Sequence, residues 1–316
     1  MRRWVLLAGA VWILGACASD EARPAGLENG SFTMELEGRS LHYEVHGSGP
    51  PLMTVPNSWG LTLEGLRAMY RPLEAHVTMV YFDPRGMGDS GPVREDSDLG
   101  PDAVREDFES LRNHLGLAKV NAIGWSNGAT NLVALASERP EVLEAAVFLH
   151  GNASFLPEDG KAIVEGYPEL IQDFGDFRRE MEEFQGSVEE RNARVKEFDT
   201  GVWFPYLFAD REAGKRKLPE LFAGAGFSWA HAQYTNQQWA SLDFRDRLSR
   251  IRTRSLVIAG RHDMLPPDKA KEIADGIEGA EFLVFEESGH FAPVEETEKF
   301  ARTVVDFLRG PGESPR

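Results

Sequence analysis

The chain has 316 residues, 42% hydrophobic and 10% aromatic, enough apolar matter for a large core with a subdomain, which excludes disorder throughout. Its 34 Lys and Arg against 51 Asp and Glu leave a formal charge of −17 with no basic cluster, so nucleic acid is not expected as a partner. A single cysteine, Cys17, excludes an internal disulfide framework and a cysteine-built zinc site.

Met1-Arg2-Arg3 supplies a positive start, Trp4 to Leu14 an apolar stretch too short to span a bilayer, and Leu14-Gly15-Ala16-Cys17 follows. This layout reads as a signal peptide over residues 1–17, and its end resembles a bacterial lipobox. The resemblance implies export, lipidation of Cys17 and attachment to a membrane of the cell envelope through that anchor alone. An ordinary signal peptide with an incidental cysteine is the alternative. Residues 18–30, with Asp20, Pro24 and Gly26, read as a flexible tether.

Short β-branched and aromatic runs then alternate with longer amphipathic segments, the pattern of an α/β fold whose sheet carries helices on both faces. Phe32 to Leu36 and Leu41 to His46 predict a hairpin about Gly38, and Leu52 to Val55 and Thr78 to Phe82 predict the next strands. Leu63, Leu66, Met69 and Tyr70 recur at helical spacing, as do Val104, Phe108, Leu111 and Leu115. Val120 to Trp125 predicts a strand, Asn127 to Glu138 a helix ended by Pro140, and Ala145 to Leu149 a strand. Residues 152–241 change to acidic amphipathic helices without a strand and read as an inserted helical cap between two core segments, 31–151 and 242–310. In the second segment Ser255 to Ala259 and Glu281 to Phe285 are expected strands, Asp268 to Ile277 and Thr297 to Leu308 expected helices, and 311–316 a tail.

Gly124-Trp125-Ser126-Asn127-Gly128 gains its meaning from the strand that enters it and the helix that leaves it. On such a turn the serine hydroxyl stands at the carboxyl edge of the sheet, and the Asn127 N–H at the helix start faces a developing oxyanion. Serine needs a base. His290, in a loop after the last strand, can reach that edge, and Asp263, in the loop after an earlier strand, can orient it. The order Ser126, Asp263, His290 is the one this arrangement requires. Glu286, Glu287, Glu295 and Glu296 are expected to matter far less than Asp263.

The segments from Asn121 to Gly128, Ile258 to Pro267 and Glu287 to Pro293 resemble the three catalytic segments of the α/β-hydrolase family, over about residues 31 to 309. Asp83-Pro84-Arg85-Gly86-Met87-Gly88-Asp89-Ser90 is similar to the D-x-R-G-x-G-x-S segment of its proline iminopeptidase-like members, as is the helix carrying Asp107 before the nucleophile strand. Asp83, Arg85 and Ser90 are read as structural, a charged pair and a hydroxyl that fix a Gly-rich loop. Where the family carries His-Gly after its third strand, this chain has Pro56-Asn57-Ser58-Trp59-Gly60; register against Gly60 makes the Ser58 N–H the second oxyanion donor.

The resemblance implies a serine hydrolase acting on a small molecule or short peptide without cofactor or metal. A proline iminopeptidase-like aminopeptidase is the reading adopted; an ester hydrolase, a carbon–carbon bond hydrolase and a non-catalytic ligand-binding lipoprotein stay open. In iminopeptidase-like members a cap carboxylate holds the substrate's free α-amine, for which Glu180, Glu182, Glu183, Glu189, Glu190 and Glu197 offer themselves equally. Phe204, Tyr206, Phe208, Phe227, Trp229 and Trp239 suit an apolar cap underside or cap core. His262 is expected as a loop residue, and His150 as a pocket-lining or packing residue.

Overall fold

The computed structural model describes residues 27–36, 38–156, 166–239 and 241–310. The signal segment with Cys17 and the tail therefore lie outside the described residues. The tether ends sooner than expected: Leu27 is buried in the core and a strand begins at Gly30, because a leucine beside a sheet gains more from burial than from solvent.

Eight strands form one sheet among the described residues: β1 (Gly30–Leu36), β2 (Arg39–Gly47), β3 (Pro51–Val55), β4 (Thr78–Phe82), β5 (Val120–Trp125), β6 (Leu143–Leu149), β7 (Arg254–Gly260) and β8 (Glu281–Phe285). Their order is β1-β2-β4-β3-β5-β6-β7-β8. β2 is antiparallel to β1 and β4, and from β4 to β8 the neighbours are parallel. Every residue of β4 and β5 is buried, as a parallel strand covered on both faces requires. The core is accordingly double: Val55, Phe82, Phe108 and Phe148 belong to one cluster, and Leu52, Tyr81, Trp125 and Phe300 to the other.

The core helices are α1 (Leu63–Tyr70), α2 (Pro101–His114) and α3 (Asn127–Glu138), then, after β7, α8 (Pro267–Gly276), the short α9 (Ala292–Glu295) and α10 (Thr297–Arg309). Between β6 and β7 the described chain holds α4 (Pro168–Glu183), α5 (Val188–Phe198), α6 (Arg211–Leu221) and α7 (Trp229–Trp239). A π-helical turn, Asp199–Trp203, and a 3-10 turn, Phe204–Leu207, separate α5 from α6. The insert leaves and rejoins the core at one neck, where Phe155 N donates to Leu242 O at 3.0 Å and Phe244 N to Ala153 O at 2.8 Å.

From that neck the insert folds over the carboxyl ends of the strands. Ser228 N donates to Gly60 O at 3.0 Å, Thr62 N to Gly226 O at 3.1 Å, and Thr235 Oγ1 to Ser58 O at 2.7 Å. Its aromatics follow: Phe204, Phe208 and Phe227 are buried, Tyr206 and Trp229 half-buried, and the Trp239 side chain lies outside the described residues. Phe204 stands 5.9 Å from Trp59 and 6.4 Å from Trp125, so the insert rests on the neighbours of Ser58 and Ser126. Among the described residues no helix is long and apolar enough to cross a membrane.

Candidate active site

β5 runs into α3 through Ser126, whose backbone is held at φ 55° and ψ −122°. A side-chain-bearing residue adopts that conformation at a cost of about 1–3 kcal/mol, sustained by the surroundings. Here Ser126 N donates to Leu149 O at 2.8 Å, and a Cβ on Gly124 or Gly128 would come within 2.4 Å of Gly128 O or Val55 O respectively. The turn is therefore as tight as its two glycines allow. Ser126 itself is half-buried, at the amino end of α3.

Asp263 lies in the loop after β7 and His290 in the loop after β8, 27 residues apart, and His290 Nδ1 meets Asp263 Oδ2 at 2.7 Å. The His290 main chain is fixed on two sides: its carbonyl accepts from Trp125 Nε1 at 2.8 Å and its N–H donates to Leu207 O of the insert at 2.6 Å. The ring stands 5.2 Å from that of Trp125, the residue before Ser126. The three expected residues thus share one edge of the sheet. Burial alone would raise the pKa of Asp263, but the His290 and His150 rings beside it outweigh that and hold its carboxyl below the usual carboxylate range.

A second constellation of the same residue types is present elsewhere. Ser31 Oγ is 2.9 Å from His42 Nε2, and His42 Nδ1 is 2.9 Å from Asp83 Oδ2. It lacks the features of the first: Ser31 is exposed within the regular edge strand β1, not on a strand-to-helix turn, and burial pushes Asp83 up to about 6. Asp83 also accepts from Leu63 N at 2.9 Å and Asp89 N at 3.3 Å, and Ser90 Oγ donates to Asp83 O at 2.9 Å. Asp83 and Ser90 brace the Gly-rich loop, as expected, but the charged pair is not Asp83 with Arg85. Arg85 reaches Asp107 at 2.9 Å and Asp98 at 3.1 Å instead, because α2 presents its carboxylate to the guanidinium while His42 takes Asp83.

Of the two N–H groups expected as oxyanion donors, one is occupied. The Asn127 N–H, at the first turn of α3, meets no acceptor among the described residues. The Ser58 N–H is spent on Asn127 Oδ1 at 2.6 Å, and Ser58 Oγ donates to the same oxygen at 2.9 Å. Amides hold the rest of the loop: Asn131 Nδ2 donates to Pro56 O at 3.1 Å and Asn57 Nδ2 to Trp125 O at 3.3 Å. This network stands where the family places His-Gly. It leaves Asn57 Oδ1, Trp59 Nε1 and Asn127 Nδ2 buried without a partner, and His150 Nε2 shares that state at the end of β6. Unpaired buried polar atoms are uncommon, and three of these four belong to the Asn57–Trp59 loop and to Asn127, the residue after Ser126.

Two residues named in the sequence only as a pocket-lining or packing histidine and as a minor carboxylate make contacts that the sequence did not signal. His150 Nδ1 meets Asp263 Oδ2 at 2.9 Å, a contact across 113 positions. Glu295, half-buried, accepts from Gly289 N at 2.9 Å and Phe291 N at 3.2 Å, on either side of His290, and from Ala209 N of the insert at 2.8 Å. No motif signals either. Of the remaining candidates, His262 is exposed in its loop, and Glu180, Glu182, Glu183, Glu189, Glu190 and Glu197 are all exposed. Among the described residues, His150, Asp263 and His290 form the one group whose ligand atoms lie within 4.8 Å of one another, a spacing that two N–H···O bonds to a single carboxylate oxygen account for. A groove of about 450 Å³ opens between the Gly-rich loop and α5, lined by Glu64, Met87, Glu189 and Lys196; it holds no nucleophile and base pair, so the chemistry points to Ser126.

The chain is 25% identical over 284 residues to a proline iminopeptidase of Saccharolobus solfataricus, covering 84% of this chain and 87% of that one. It is likewise 25% identical over 320 residues to 2-hydroxy-6-oxononadienedioate/2-hydroxy-6-oxononatrienedioate hydrolase 2 of Pseudomonas putida, covering 92% and 97%. An alpha/beta fold family hydrolase of Bacillus anthracis, at 23% identity and a TM-score of 0.73, covers 88% of this chain and 99% of its own, and shares the fold. The profile of the alpha/beta hydrolase family matches residues 45–303, from β2 through α10 and therefore across the strained serine turn, the Asp263 loop and the His290 loop. With its mostly parallel sheet and its match along most of its length, the chain belongs to the alpha/beta hydrolase family and is a hydrolytic enzyme.

Proposed function

We propose that the chain forms an acyl-enzyme on Ser126, with His290 as base and Asp263 as its orienting acid, and that it releases an N-terminal residue, proline foremost, from small substrates with a free α-amine. His290 takes the Ser126 proton as the hydroxyl oxygen attacks the carbonyl, while Asp263 keeps the other proton on Nδ1. The Asn127 N–H receives the oxyanion. Protonated His290 gives its proton to the leaving amine, and water then takes the same route to free the acid. The insert, resting on the ring of Trp125, favours compact substrates over folded chains.

The observation that carries the free-amine reading is Asp199. It is buried at 5% exposure in the π-helical turn, and its carboxylate meets no hydrogen-bond donor or cation among the described residues. Burial pushes its carboxyl well above the usual carboxylate range, so a substrate ammonium would supply the missing charge. Its turn leads straight to Trp203, 5.4 Å from Trp59, and to Phe204 against Trp125. The test is the ratio of kcat/KM for a Pro-arylamide and its N-acetylated form. We expect the free amine to be favoured at least tenfold and Asp199→Asn to erase most of that preference; equal rates, or turnover of esters alone, would leave an ester or carbon–carbon bond hydrolase.

We propose as well that the protein is exported and held to a membrane of the cell envelope by lipid on Cys17, a reading supported by the Arg2-Arg3 start and the Leu14 to Cys17 sequence. Cys17→Ala should abolish lipid attachment, and mass spectrometry finding an unmodified Cys17 in membrane-bound protein would overturn it.

A further inference from the structure

His150 is the other residue of the described chain that bears a side chain at positive φ, 52°, besides Ser126. A left-handed conformation costs such a residue about 1–2 kcal/mol, and glycine would adopt it without strain. Histidine here must be held by its contacts. Its N–H donates to Ile258 O at 2.8 Å, pinning the end of β6 to β7, and its ring is fully covered. Nδ1 then reaches the Asp263 oxygen that His290 also uses, at 2.9 Å against 2.7 Å.

The protons follow from the acceptor. An ionised carboxylate only accepts, so both imidazoles carry hydrogen on Nδ1. Burial disfavours the charged form of His150, and although Asp263 pulls the other way its pKa stays below the ordinary histidine value. His150 is therefore neutral, with a bare Nε2, which is the buried nitrogen without a partner. Asp263 Oδ1 accepts from Leu265 N at 2.9 Å, so three donors fix the carboxylate and two of them divide the charge of one oxygen. The groups facing His290 are these: Asp263, His150 with its ring centroid 5.1 Å away, and Glu295, whose Oε2 is taken by the N–H groups flanking His290.

We propose that His150 is a positioning residue for the triad: its Nδ1–H holds Asp263 in line and takes part of the charge of the oxygen on which His290 relies, so that the pH range over which Ser126 is activated depends on His150. The proposal rests on the triad reading of Ser126. Packing alone would make His150 matter for stability and leave the pH range untouched.

The test uses the pH dependence of the rate at which a fluorophosphonate labels Ser126, which needs no knowledge of the substrate. His150→Phe keeps the ring volume and loses the donor; His150→Asn keeps a donor near the Nδ1 position and tolerates the left-handed backbone. We expect the acid limb to move up by about one pH unit in His150→Phe, close to a tenfold loss of rate on that limb, and to stay near that of the parent in His150→Asn. A limb that stays in place in a folded His150→Phe, or moves equally in both variants, would overturn the proposal. Labelling that is unaffected by Ser126→Ala would instead overturn the triad reading, so the two failures are distinguishable.

Discussion

Asn127 places its carboxamide oxygen 2.6 Å from the backbone nitrogen of Ser58, 69 positions earlier in the chain. The bond occupies the N–H expected as the second oxyanion donor, and on the proposed mechanism it must break before that donor can serve. Asn127→Ala should release the Ser58 N–H, and a boronic acid or trifluoromethyl ketone should then bind about fivefold more tightly, while stability falls by about 1 kcal/mol from the lost hydrogen bonds. Inhibitor titration with a urea melt measures both. Weaker binding would mean that the side chain positions Ser58 instead of occupying it.

Asp263 and Glu295 both serve His290, through different bonds. Asp263→Asn should keep the fold and cut kcat by on the order of 10⁴, because an amide favours the wrong imidazole tautomer. Glu295→Gln should cost about 2 kcal/mol and lower kcat about tenfold, since an NH2 group must face one of the three backbone N–H donors that the carboxylate now accepts. Glu286→Gln, which loses an exposed pair with Arg261, should change neither. Kinetics and thermal melts on the three proteins check this, and a silent Glu295→Gln would contradict it.

The fold was legible in the sequence because its strands announce themselves. Thr78 to Phe82, Val120 to Trp125 and Asn127 to Glu138 have the bounds that their apolar runs predict. The insert was legible only as helical: α4 and α5 bury few residues, so no strong apolar stripe marks their limits, and α6 contains Pro219. The loops bearing Ser126, Asp263 and His290 could be placed by chain order alone. Their supports could not, because His150 with Asp263, Asn127 with Ser58 and Glu295 with Ala209 are side-chain contacts across 69 to 113 positions, with no periodicity to reveal them.

Two buried groups in contact with each other, His150 and Asp263, tie stability to pH in the same direction. The folded pKa of His150 lies below its unfolded value near 6.5, so below about pH 6.5 the unfolded chain binds a proton that the native protein refuses, and stability falls as pH drops. Asp263, also lowered, keeps its contribution above about pH 3.9 and loses it only as pH falls through its folded value. Asp83 and Asp107, each raised to about 6, oppose this between about pH 4 and 6, so the comparison must be between variant and parent. Between pH 7 and 5, His150→Phe should lose up to about 1.4 kcal/mol less per pH unit than the parent. Urea midpoints at pH 7, 6 and 5 measure it, and identical slopes would contradict a neutral buried His150.

Ser126 is the proposed nucleophile, and the protein carries its own control in Ser31, which also sits on a His and an Asp, with His42 Nε2 at 2.9 Å. Treating the parent, Ser126→Ala and Ser31→Ala proteins with a fluorophosphonate and locating the adduct by mass spectrometry distinguishes the two serines. A single adduct on Ser126 is expected in the parent and in Ser31→Ala, and none in Ser126→Ala. An adduct on Ser31, or turnover that survives in Ser126→Ala, would contradict it.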